Sequence, residues 1–186
     1  LPQLEQMGFH PTVGSSSGTQ SSIYDMPQKL VPGGAIAGQL IRGDLDIAGT
    51  GTVSYVSGDH VLAFGHPFFN QGYVQMPMST AYILKTFASS MHSFKMSEAG
   101  IEVGTIVQDR LTAIHGKVGQ KAQMIPVDIQ IEDELQTIPQ TSHFEVFQSP
   151  IFTPMLLLMS VTSALQDRLY SNLGGSVQME GEIELS

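Results

Sequence analysis

The sequence predicts a mostly β fold, a barrel or sandwich, with one C-terminal α-helix. Three observations predict it. From Leu30 onward, short stretches rich in Val, Ile, Thr, Tyr and Phe recur between glycines. Within one of them Val53 and Tyr55 alternate with Thr52 and Ser54, the period of a half-buried strand. A single segment, residues 155–170, departs from that texture and repeats its apolar residues every three or four positions.

A chain of 186 residues is long enough to bury a real core, and one domain is the expectation. Residues 1–28 are rich in Gly, Ser, Pro and Gln and include Gly14-Ser15-Ser16-Ser17-Gly18; they read as an arm or linker, with Leu4, Met7 and Phe9 available to dock it. Residues 29–186 then form the single β-rich domain. Pro32-Gly33-Gly34 is a turn, followed by strand candidates at 35–42, 51–56, 60–64, 73–76, 80–87, 102–108, 111–115, 126–132 and 143–147. The second and third are joined by Ser57-Gly58-Asp59, a short glycine-containing connection suited to a hairpin.

Pro154 opens the helix, Thr153 is its expected N-cap, and Asn172 with Gly174-Gly175 ends it. Met155, Leu158, Met159, Thr162, Leu165 and Leu169 mark its expected buried stripe. Beyond it Val177, Met179, Ile183 and Leu185 alternate with Gln178, Glu180, Glu182 and Glu184, which predicts a half-exposed final strand.

Composition excludes several function classes. With a net charge of −9 and only eight scattered Lys and Arg, the chain lacks the clustered basic surface that phosphate binding needs, so neither nucleic acid nor an anionic membrane is expected as partner. The longest apolar run, 155–165, is interrupted by Ser160, Thr162 and Ser163 and falls short of the ~20 residues of a spanning helix. The absence of cysteine removes disulfides, thiolate metal sites and thiol nucleophiles. Charged residues make up 13%, against roughly 25% in typical soluble chains. So thin a charge cover suits a surface that meets something else: other domains of a parent chain, a protein or peptide partner, or a second copy. The chain opens at Leu1 and closes inside an alternating stretch, as a piece of a longer polypeptide would.

The most unusual segment is Phe64-Gly65-His66-Pro67-Phe68. Pro67 biases His66 toward an extended backbone and Gly65 permits close approach of a neighbouring chain, so the imidazole is held at the end of a strand. From physics alone a buried histidine bonded to a backbone carbonyl is favoured over a catalytic one.

This segment, together with Pro32-Gly33-Gly34-Ala35-Ile36, Arg42-Gly43-Asp44, Gly51-Thr52-Val53-Ser54-Tyr55, Gly104-Thr105-Ile106, Gln108-Asp109-Arg110 and Ile114-His115-Gly116, resembles the SpoIVB-type serine peptidase family over residues 30–130. It is similar in particular to the divergent domains of that family in large exported bacterial proteins. The resemblance implies a chymotrypsin-like or related β-barrel, an extracytoplasmic bacterial location, and His66 as general base. It also implies a nucleophile in a later Gly-x-Ser-Gly-Ser-Pro turn, and no Ser-Gly-Ser-Pro occurs between Val127 and Ser186. Glycines of that turn let backbone N–H groups point at the developing oxyanion, so without it a base has nothing to activate. The expectation is a catalytically incomplete domain serving as a structural or binding module; the alternative is an active serine endopeptidase using His66 with an unidentified serine.

No other serine is assigned as nucleophile. Gly14-Ser15-Ser16-Ser17-Gly18 satisfies G-x-S-x-G in letters only, without the strand and helix that the elbow needs. Ser79 after Pro77-Met78, Ser149 before Pro150 and Ser176 after Gly174-Gly175 read as ordinary starts of elements. Among acids that could orient His66, Asp59 belongs to the hairpin turn and faces water, while Asp44 and Asp109 read as turn residues, Asp109 paired with Arg110 or another basic group. His60, His92, His115 and His143 lie in separate segments without compact ligand spacing, so no metal and no cofactor is expected. Phe64, Phe68, Phe69 and Tyr73 either belong to the core or surround the His66 turn as a peptide- or glycan-binding surface.

Overall fold

A computed structural model describes residues 27–87, 94–133, 136–169 and 178–182. Among them are eight strands, β1 (Ala35–Gly43), β2 (Ile47–Ser57), β3 (His60–Ala63), β4 (Gly72–Phe87), β5 (Phe94–Arg110), β6 (Ala113–Val118), β7 (Met124–Asp133) and β8 (Gln136–Phe147), and one helix, α1 (Thr153–Leu169). The chain is mostly β, as expected, and every pairing is antiparallel.

The organising strand is β1. One edge of it pairs with β2 from Ala35 to Ile41; the other pairs with β4 at 36–38 and then with β8 at 41–43. Because the sheet order is β2-β3-β6-β5-β4-β1-β8-β7 and β2 also pairs with β1, six strands are linked in a cycle of pairings, and β8-β7 extends from it as a hairpin. Ile36, Ala37, Leu40 and Ile41 are all 1% exposed or less instead of alternating, so β1 is covered on both faces as well as paired on both edges. Ile36, Leu40, Val53, Val61, Met76, Met78, Ile106 and Ile114 belong to one core cluster. Each such side chain contributes about 1.5–3 kcal/mol by leaving water.

The hairpin expected at Ser57-Gly58-Asp59 is present: Ser57 pairs with His60 around a two-residue turn whose Gly58 has φ +58°. Several boundaries differ from the sequence expectation. The separate candidates at 73–76 and 80–87 are one strand, β4, in which Pro77 stays in register opposite Thr105 and the register against β5 slips on either side of it. The expected strand at 111–115 begins only at Ala113, with Leu111 in the β5–β6 turn and 72% exposed. Of the expected arm, only residues 27 and 28 are among the described residues. Of the expected final strand, residues 178–182 are described and form no strand; Met179 is 65% exposed.

The helix is where expected, but its buried face and its cap are not. Phe152, Leu156, Ser160 and Ala164, spaced by four, face the core, while Leu158 is 64% exposed. Met155 to Met159 is apolar without a break, so periodicity could not choose a side; the small residues Ser160 and Ala164 did, by letting the helix approach the sheet closely. Ser160 satisfies its buried hydroxyl by donating to the Leu156 carbonyl at 3.1 Å. The capping oxygen is Ser149 Oγ, which accepts from the N–H groups of Ile151 and Phe152, both at 3.4 Å. Thr153 Oγ1 instead accepts from Ser149 N at 2.8 Å and donates to the Phe147 carbonyl at 3.1 Å, tying the helix start to the end of β8.

Candidate functional site

β3 stops at Ala63 because the next two residues turn left-handed: Phe64 has φ +75° and Gly65 φ +72°. Glycine adopts that conformation freely, whereas a bulky residue is held there at a cost of about 1–3 kcal/mol. Phe64 is fixed by its N–H bond to the Thr52 carbonyl at 2.9 Å and by its ring, which lies over Gly51. A Cβ on Gly51 would stand 2.6 Å from that ring, so glycine is required there for close approach rather than for backbone freedom. Edge-to-face contacts continue from Phe64 to Phe68 at 5.1 Å and from Phe68 to Phe69 at 4.5 Å, and Phe69 meets Phe152 at the start of α1 at 4.3 Å.

The residue that holds the following loop is Asp109, at the end of β5 and 1% exposed. Its Oδ1 accepts from Phe68 N at 2.7 Å, and its Oδ2 from Phe69 N at 2.6 Å and Gln71 N at 3.3 Å. A buried carboxylate is expensive unless paired, and here three backbone N–H groups from a loop about forty residues away satisfy it. The expected pairing of Asp109 with Arg110 does not form: Arg110 donates from Nε to Gln108 Oε1 at 3.2 Å and lies over the Tyr73 ring at 4.8 Å. Strand alternation sends neighbouring side chains to opposite faces, so Asp109 goes in and Arg110 goes out.

His66 sits between these anchors and is exposed. Its Nδ1 is 2.8 Å from the Pro67 carbonyl, which puts the ring proton on Nδ1 and the lone pair on Nε2, and the Phe64 ring meets it edge-on at 5.6 Å. Among the described residues no serine hydroxyl and no carboxylate bonds to it. The backbone-carbonyl contact agrees with the physical expectation for this histidine; the burial does not.

The serine candidates are engaged elsewhere or out of reach of solvent. Ser149 caps α1 and donates to Gln71 Oε1 at 3.0 Å. Ser79 is fully buried, and its Oγ has no hydrogen-bond partner. Ser176, Gly14-Ser15-Ser16-Ser17-Gly18 and His92 lie outside the described residues. Asp44 accepts from His143 N on β8 at 2.9 Å, bonding a distant strand rather than its own turn. Arg42 bridges Glu102 and Glu145, joining β1, β5 and β8, and its guanidinium holds the Glu145 carboxyl below the usual carboxylate range.

His143 pairs with Asp128 at 2.6 Å on an exposed face. His60 and His115 meet across β3 and β6 with Nδ1 to Nε2 at 2.8 Å; burial, then the neighbouring His60, pushes the His115 imidazole below its ordinary value. No group of three or more His, Asp or Glu side chains among the described residues is placed to hold a metal ion. No helix among them is long and apolar enough to cross a membrane.

Of the four aromatic candidates, Phe64, Phe68 and Phe69 pack against the core and only Tyr73, 80% exposed, faces outward. Tyr73 borders a groove of about 440 Å³ that no local signal in the sequence revealed, lined also by Val74, Gln75, Val107, Gln120, Gln123 and Gln148. Register slips at Tyr73/Met76 in β4 and at Ile106/Gln108 in β5 place this lining together. Its four glutamine amides offer donors and acceptors without charge.

No family model, no curated protein and no solved structure matches the chain.

Proposed function

We propose that the chain is a SpoIVB-peptidase-like β-barrel domain that carries the base histidine without a serine partner and acts as a binding module of a larger exported bacterial protein. The cycle of pairings through β1, β2, β3, β6, β5 and β4 supports the barrel. The single observation that carries the incomplete site is that, among the described residues, the only polar partner of His66 is the carbonyl of Pro67, while Ser149 is committed to α1 and Ser79 is sealed in the core. A base with no hydroxyl in reach cannot generate a nucleophile. For binding, the glutamine-lined groove beside Tyr73 suits the amide backbone of an extended peptide or of a neighbouring domain.

A fluorophosphonate probe tests the reading directly. The chain is expected to remain unlabelled, as is His66→Ala. Labelling of the wild type that His66→Ala abolishes would overturn it.

One observation favours a second reading, an active endopeptidase whose serine comes from another chain or another part of the parent protein. His66 is exposed, its Nδ1 faces the Pro67 carbonyl, and among the described residues no hydrogen bond engages Nε2, the nitrogen a base would use. In that case labelling appears only when the serine-bearing partner is supplied, and again depends on His66.

A further inference from the structure

We propose that His60 and His115 form a two-imidazole site for a divalent transition metal ion, Cu²⁺ or Ni²⁺, on the outer face of the β3–β6 pair. Neither residue belongs to the His66 loop, and the inference does not depend on the peptidase-like reading. The backbone creates the juxtaposition: His60 stands opposite Lys117 and Leu62 opposite His115, so the two histidines are diagonal neighbours on one face. Their facing nitrogens, His60 Nδ1 and His115 Nε2, are 2.8 Å apart, with the rings 11° from parallel and their centroids 5.1 Å apart.

Two neutral imidazoles in that position hold one proton between them; when that proton shifts to the outward nitrogen of its own ring, both facing nitrogens present lone pairs to a metal ion and both rings stay neutral. Nitrogens 2.8 Å apart and each about 2.0 Å from one ion subtend roughly 90°, the cis angle of a tetragonal Cu²⁺ or Ni²⁺ site. Tetrahedral zinc with the same bond lengths needs the nitrogens about 3.3 Å apart. Each ring must turn to aim its lone pair at the ion, and solvent exposure leaves room, the His60 side chain being 53% exposed. Asp59 supports the arrangement from behind. Its Oδ1 lies 3.4 Å from His60 Nε2, where its negative charge favours a cation on the ring. Water completes the coordination, so the site is open and exchangeable. Lys117, directly opposite His60, is the one nearby cation that opposes the ion.

The test titrates the full chain with Ni²⁺ alone at neutral pH by calorimetry, while the histidine ring protons are followed by NMR. Expected are one saturable site, selective broadening of His60 and His115, affinity at least tenfold weaker in His60→Ala and in His115→Ala, and unchanged affinity in His143→Ala. Lys117→Gln, which leaves both ligands in place, should tighten binding severalfold. Affinity equal to wild type in His60→Ala, His115→Ala and Lys117→Gln overturns the site, as does broadening confined to other histidines.

Discussion

Two places in this molecule solve the same problem, a sharp change of chain direction with backbone N–H groups left over, and they solve it differently. At the start of α1 the acceptor is Ser149, a neutral hydroxyl bonding the N–H groups two and three residues ahead. After His66 the acceptor is Asp109, a buried carboxylate from another strand, bonding N–H groups 38 to 41 residues away. The local cap can form as soon as the turn does; the distant one forms only when β5 is in register with β4. A charged acceptor in a buried setting holds its donors more strongly and also costs more to orphan. The loop that carries His66 is therefore tied to the end of β5 at Phe68, Phe69 and Gln71. The two caps also touch: Gln71 gives its N–H to Asp109 and its amide oxygen to Ser149.

The sharpest way to break this comparison is Asp109→Ala, which strands the N–H groups of Phe68, Phe69 and Gln71 and should cost about 4 kcal/mol in a urea melt. A loss below about 1 kcal/mol would mean that water or another group can replace the carboxylate. Next, Leu156→Ala on the buried face of α1 should cost about 3 kcal/mol, whereas Leu158→Ala should stay within about 0.5 kcal/mol. A larger loss at Leu158 than at Leu156 would show that the helix is seated on its other face.

Ser149→Ala is expected to cost about 1 kcal/mol, the ordinary value of a helix cap. Combined with Asp109→Ala it should be non-additive by roughly 0.5 kcal/mol or more, because Gln71 answers to both. Strict additivity would separate the two centres.

The smallest effect concerns the Arg42 bridge between β1, β5 and β8. Folding lowers the Glu145 carboxyl, so its contribution is fully present above the unfolded value of about 4.3 and is lost as pH falls through the lower folded value. Between about pH 5 and pH 3 the wild-type urea midpoint should fall slightly more than that of Glu145→Gln. Glu145 is half exposed, which keeps the difference modest.

Much of the local structure was legible. The Gly58-Asp59 hairpin, the strands near 35–42 and 126–132 and the helix behind Pro154 follow from period, turn chemistry and proline placement. The His66 turn stood out for its Gly65 and Pro67; Gly65 serves there by adopting a left-handed φ of +72° and not by the close approach expected of it, since nothing lies within 4 Å of where its Cβ would stand. What failed were choices of side. An alternating pattern does not say that Asp109 turns inward toward a loop elsewhere in the chain, nor an unbroken apolar run that α1 buries Leu156 rather than Leu158.

By itself, then, the sequence determined which stretches are extended or helical and which histidine sits in a constrained turn, because those depend on neighbours within a few residues. Only the tertiary structure decided that β1 is shared by β2, β4 and β8, that Asp109 anchors the His66 loop, that four glutamines meet in one groove and that His60 finds His115. Each of these rests on strand register between segments far apart in the chain. Register is fixed by the sum of many core contacts, and no short stretch of sequence carries it.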